Sequence, residues 1–301
     1  MALNINEVHY EDLINHLESK LGAANLDEVQ EYVASKKGSL VLLQWKLLSN
    51  LNKQKGSELV TGAIEMLLTD PKIMELLLTS GSVQEHKWSN AINLINQILD
   101  LDSEAKKGGY RLQLAVAIAL TFSNPVKSFS NYNKTEIDPL ELYQNFVRWV
   151  DEGVLFPIHT SLSAWNLRYV VGSWAEDEEL EWARKNVLEN FKTPEKIAEV
   201  THKMVPYKEH NSTGESIHPK GGALFYNHQP KTLARLAELG AVCGGISMFG
   251  VAMAQAFGIP AVPVAQPGHC AFLWRKDGQW IISNDVGGID TSIIHNGFQW
   301  S

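Results

Sequence analysis

Apolar residues recur at helical spacing through the first part of the chain. Tyr10, Leu13, Leu17 and Leu21 share one face, and Leu40, Leu43, Leu47 and Leu51 share another. Ile64, Leu67 and Leu68 continue the pattern, as do Ile92, Ile95 and Leu99. Asp70-Pro71 predicts a helix start with Pro in the first turn. Gly108-Gly109 interrupts the pattern before an almost wholly apolar helix from Tyr110 to Thr121. Asn124 to Asp138 is polar and reads as a linker. Asp138-Pro139-Leu140-Glu141 supplies an N-cap, a first-turn Pro and an acidic first turn for a helix through Leu142, Phe146, Val147 and Val150. Leu162 to Phe191 is again helical, with Trp165, Arg168, Trp174 and Trp182 expected in the core or along a groove wall.

Periodicity fails between Lys203 and Gln229, which reads as a long loop. A short helix follows, Leu233 to Leu239, stopped by Gly240. The last part changes period. Ile246 to Phe257 predicts an Ala- and Met-rich helix, closed by Gly258 and Pro260. Ala261 to Ala265, His269 to Arg275 and Trp280 to Asn284 predict three strands. Gln266-Pro267-Gly268 turns the first into the second, and Asp277-Gly278 is a two-residue hairpin signal between the second and third.

The 301 residues suffice for one large domain or two ordinary ones. The expected fold class is α+β: a helical N-terminal region over 1–125, then a core over 138–301 in which a helix packs on an antiparallel sheet. The net charge of −8 and the lack of a Lys/Arg cluster interleaved with aromatics argue against a nucleic-acid partner. The best apolar run, Leu112 to Phe122, is too short for a bilayer, so no membrane partner is expected. Met1 to Asn6 shows no basic region followed by an apolar run; no signal peptide is read, and a reducing, cytoplasmic setting is favoured. Two cysteines, Cys243 and Cys270, do not make a disulfide framework. No metal site is expected. Cys243, His269 and Cys270 lack the paired spacing of zinc ligands, and no loop clusters oxygen ligands for calcium. Gly245-Ile246-Ser247-Met248-Phe249 misses the nucleophile elbow at its last position.

The order of Cys243 at a helix start, His269 on a strand and Asp285 at the end of the next strand suits thiol chemistry. A helix N-terminus favours thiolate, a nearby His takes a proton, and a carboxylate orients the ring. Gly244 and Gly245 let a substrate approach the backbone, and their N–H groups are candidate oxyanion donors. Tyr226 and Gln229 are side-chain candidates for the same task or for substrate contact, and His218 and His228 lie in the long loop.

The runs Gly240 to Gly245, Ala256 to Ala261, Gly268 to Trp274 and Trp280 to Asp285 together resemble the core of the transglutaminase-like (papain-like) superfamily. That group includes transglutaminases, peptide N-glycanases and bacterial cysteine proteases. The likeness covers about the last fifth of the chain. It implies Cys243 as nucleophile, His269 as base and Asp285 as orienter, acyl transfer through a thioester, and no cofactor. Hydrolysis of a peptide or isopeptide bond in a peptide or protein substrate is the first expectation. Transglutaminase or peptide N-glycanase activity is the second, and a non-catalytic binding module on the same fold is the third. The helical region is the candidate surface for a protein partner. Two departures stand out. Cys270 directly follows His269 and, by strand alternation, is expected to turn into the core. The chain ends soon after Asp285, where members often carry further strands, and so reads as an N-terminal part of a longer protein.

Overall fold

A computed structural model describes residues 35–52, 70–84, 87–128 and 136–285, with a few isolated positions before residue 69. The helical face predicted over Tyr10 to Leu21 lies outside the described residues. The helices, in chain order, are α1 Lys36–Asn52, α2 Pro71–Thr79, α3 Trp88–Leu101, α4 Tyr110–Thr121, α5 Pro139–Asp151, α6 Ala164–Val171, α7 Asp177–Asn186, α8 Pro194–Val200, α9 Leu233–Leu239 and α10 Cys243–Ala256. The strands are β1 Ala261–Gln266, β2 His269–Lys276 and β3 Gln279–Ser283. The fold is α+β. Among the described residues, no helix is long and apolar enough to cross a membrane.

The chain forms two compact units, one of residues 1–124 with 163–165 and the other of 125–162 with 166–301. In the first, the Asp70 carboxylate accepts from the Lys72 and Ile73 amides and so starts α2. Leu47, Ile73, Met74, Leu77, Ile92, Ile95, Leu99 and most of α4 are buried, as the spacing of apolar residues predicts.

In the second unit, Asp138 caps α5 through the Leu140 and Glu141 amides. The sheet is antiparallel with order β1-β2-β3. Its two turns follow the residue signals. Gly268 has φ 70°, and Asp277 and Gly278 have φ 49° and 82°, the left-handed pair that a two-residue hairpin requires. α10 packs on β2. Their approach is set at Gly250, where a Cβ would lie 2.5 Å from the Phe272 ring. Phe249 and Met253 of α10 and Phe272 and Trp274 of β2 are all fully buried.

The carboxyl end of α10 is tied to the rest of the unit through side chains, one of them its own. Arg184 donates to the Ala256 carbonyl at 2.7 Å, with its guanidinium 4.0 Å from the centre of the Trp149 ring. A cation at a helix C-terminus is also favoured by the helix dipole. Gln255 donates to the Tyr169 carbonyl. His159 is fully buried, stacks on Phe146 and places Nδ1 3.3 Å from the Gly258 carbonyl. Gly258 has no alternative, since its φ is 80° and a Cβ would meet the His159 ring at 2.8 Å.

Candidate functional site

Cys243 is the first residue of α10. Val242 precedes it in extended conformation and makes no side-chain cap, so the first-turn amides meet no capping oxygen from that residue. The approach to the helix is pinned. Ala241 bridges Tyr207, with Lys208 donating to the Ala241 carbonyl and Ala241 to that of Pro206, each at 3.0 Å. Tyr226, buried, donates its hydroxyl to the Gly240 carbonyl at 2.9 Å. That bond commits the Tyr226 hydroxyl to bracing the turn, while its ring lines the neighbouring cavity. Gln229 is exposed and lies outside that lining.

The loop from Lys203 to Gln229 has more order than its lack of periodicity suggests. The Asn211 side chain accepts from the Thr213 and Glu215 amides and donates to the Phe225 carbonyl. Loss of hydrophobic period here reflects local polar bracing, which leaves no periodic trace.

Gly244 and Gly245 differ. A Cβ at Gly245 would lie 2.6 Å from that of Ala241, so no side chain fits. At Gly244 the nearest atom to such a Cβ is the Cys270 sulfur at 3.9 Å. Gly244 is therefore the position left open for close approach to the backbone.

Cys270 lies where the sequence did not put it. Its sulfur lies against the first turn of α10, 3.9 Å from where a Gly244 Cβ would stand, its thiol interacts with that of Cys243, and both residues are half-buried. Burial, then the nearby Cys243, pushes the Cys270 thiol above its ordinary range. Alternation separates Cys270 from His269, as expected, but the face it turns to is the one that meets the start of α10. The reading of Cys270 as a core residue is corrected by this contact.

One turn into α10, on the same face as Cys243, the buried Ser247 donates to the Cys270 carbonyl at 2.8 Å. The Asn284 side chain donates to the Ser247 oxygen at 2.9 Å and to the Cys270 carbonyl at 3.2 Å. These bonds sew the helix start to β2 and to the end of β3. The backbone carbonyl of Asn284 accepts from His269 Nε2 at 2.6 Å. A carbonyl only accepts, so Nε2 carries the proton, and a neutral ring keeps its lone pair on Nδ1.

The β2–β3 ladder ends at the pair Phe272 and Ser283. Asn284 then takes φ 55°, a left-handed conformation that Asn tolerates better than most residues. That change of direction turns its side chain toward Ser247 and carries Asp285, which is exposed, out of the ladder. The hydrogen bond of the His269 ring therefore goes to the residue just before the predicted carboxylate.

Beside the first turn of α10 lies a cavity of about 400 Å³. Its wall is mostly apolar, with Trp174, Ile217, Leu236, Val242, Met248 and Pro263, and Cys270 joins it. Trp174 is fixed there by its indole N–H on the Met248 carbonyl. The other ionisable side chains in the lining are those of Lys231, His218 and Tyr226, and among the described residues no carboxylate belongs to it. The Lys231 ammonium sits 5.6 Å from the centre of the Tyr226 ring, and burial lowers its pKa. The exposed Tyr207 is within electrostatic reach of Cys243 and donates its hydroxyl to Glu209. Among the described residues, no group of three or more His, Cys, Asp or Glu side chains could hold a metal ion.

Comparison of the chain with protein-family profiles, with curated proteins and with solved structures gave no match.

Proposed function

We propose that the second unit is a papain- or transglutaminase-like thiol enzyme that cleaves amide bonds, with Cys243 as nucleophile. The observation that carries this reading is Cys243 at the uncapped start of α10, beside an apolar cavity and a glycine open to close approach. The Cys243 sulfur would attack a substrate carbonyl, and first-turn amides near Gly244 would receive the developing oxyanion. His269, held through Nε2, would use Nδ1 to take the thiol proton and return it to the departing amine. Water would then release the acyl group from the thioester. Asp285 or the Asn284 carbonyl would orient the ring.

The cavity suits an acyl donor with a bulky apolar side chain, since most of its wall is apolar. The substrate class proposed is a peptide or protein amide of that kind. An amine in place of water would give transamidation by the same route.

A second reading is favoured by two contacts: the Cys243 thiol interacts with that of Cys270, and the His269 bond goes to a carbonyl. A binding module on this fold would keep such contacts without turnover.

Reduced protein treated with electrophilic acyl-amide probes, with adducts mapped by mass spectrometry, separates the two. The enzyme reading expects an adduct on Cys243 well before Cys270, lost in Cys243→Ala. Equal, slow labelling of both cysteines would favour the binding module.

A further inference from the structure

The pairing of the two thiols points beyond acyl transfer. We propose that Cys243 and Cys270 form a reversible intramolecular disulfide that withdraws the Cys243 sulfur from the site. The regulatory consequence rests on the thiol-enzyme reading, but the disulfide itself does not.

Both sulfurs are already adjacent. They come from different elements, the first residue of α10 and the second of β2. Closing the bond needs the sulfurs to approach to about 2 Å. Three features allow it. No cap from the Val242 side chain fixes the first turn of α10. Gly244 offers no Cβ beside the Cys270 sulfur. The Cys270 backbone is held in place by Ser247 and Asn284 through its carbonyl, so the partner sulfur has a defined position to meet. These are also the only two cysteines of the chain, so no other intramolecular pairing competes.

The chemistry is thiol–disulfide exchange with a small disulfide such as oxidised glutathione. The thiolate of Cys243 attacks one sulfur of the small disulfide, forming a mixed disulfide and expelling one thiolate. Cys270 then gives up its proton to solvent, and its sulfur attacks that of Cys243, expelling the second thiolate. Two protein thiols are oxidised and one small disulfide is reduced to two thiols. A small thiol in excess reverses the sequence.

Cys243, at the helix start beside the cavity, begins the exchange, and Cys270, whose backbone is held on β2, resolves the mixed disulfide. Burial of the Cys270 thiol, which raises its pKa, is consistent with that order.

The test uses the full chain, reduced, freed of reductant and placed in glutathione buffers of graded ratio. Intact mass and a non-reducing peptide map follow the products. The expected result is a loss of two hydrogens, a cross-linked peptide pair carrying Cys243 and Cys270, and simultaneous loss of iodoacetamide labelling at both positions. Dithiothreitol restores the labelling. Cys270→Ser is expected to stop at the glutathione adduct on Cys243. Wild type that also stops at that adduct, or whose Cys243 labels equally well before and after oxidation, overturns the proposal. Acyl-probe reaction of the reduced wild type is read in parallel. A cross-link without acylation sinks the hydrolase reading alone, and acylation without a cross-link sinks the switch alone.

Discussion

Asn284 does three things at once. It breaks the ladder, ties Ser247 to β2, and offers its carbonyl to His269. Asn284→Ala removes the two side-chain bonds, leaves a buried hydroxyl short of a donor and puts Ala at positive φ. The expected cost is about 1–3 kcal/mol of stability, read as a lower denaturant midpoint, with slower acylation of Cys243. Asp285→Asn keeps the Asn284 carbonyl and should affect both measurements less. The reverse order would return the orienting role to the Asp285 carboxylate. Cys243→Ala is expected to abolish the adduct while shifting the melting temperature little, since a half-buried thiol at a helix start covers little apolar area. Cys243 and His269 could be singled out from their place before a glycine pair and on a strand. Cys270, Ser247 and Asn284 could not. Ser247 lies four residues beyond Cys243, a spacing that hints at a shared face, but nothing in a serine says which strand it meets. The left-handed turn of Asn284 depends on where the β3 pairing stops, and that is a tertiary outcome.

At the scale of elements, period and punctuation carried most of the fold. Pro71 and Pro139 mark helix starts, and Asp277-Gly278 marks the hairpin, because each residue type fixes a local backbone conformation. The strands end within a residue or so of their predicted limits for the same reason. The loop before α9 was harder, since its order comes from Asn211 and from a bridge between Tyr207 and Ala241. The contact between α10 and the sheet makes a separate prediction. Gly250→Ala drives a methyl into the Phe272 ring and should destabilise by about 1–3 kcal/mol, visible as a lower melting temperature. Gly244→Ala meets nothing closer than 3.9 Å and gains helix propensity. Its stability should hold or rise, while acylation falls if the oxyanion sits against that backbone.

For the second unit as a whole, His159 sets a pH dependence. Burial pushes its pKa down to about 4, against an ordinary value of 6.5. The folded state thus holds the ring neutral where the unfolded chain would protonate it. Stability from this source is complete above pH 6.5 and falls as the pH drops toward 4, by about 3 kcal/mol at most. Urea unfolding at neutral pH and near pH 4.5 should show the loss. His159→Phe, which can keep the stack on Phe146, should flatten the difference between the two. An unchanged pH slope in that variant would assign the loss to other groups.

The clamp on the carboxyl end of α10 makes that helix a lever with Ala256 as its pivot. Fourteen residues span about 20 Å. A tilt of about three degrees at the pivot swings Cys243 through about 1 Å, and a shift of that size can slow a reaction about 100-fold. Arg184→Met would keep much of the packing on Trp149 but release the Ala256 carbonyl. It should therefore slow acylation at the far end of the helix while leaving every residue of the apolar cavity unaltered. Equal acylation rates in this variant and wild type would mean that the start of α10 is located by Ser247 and the Ala241 bridge alone.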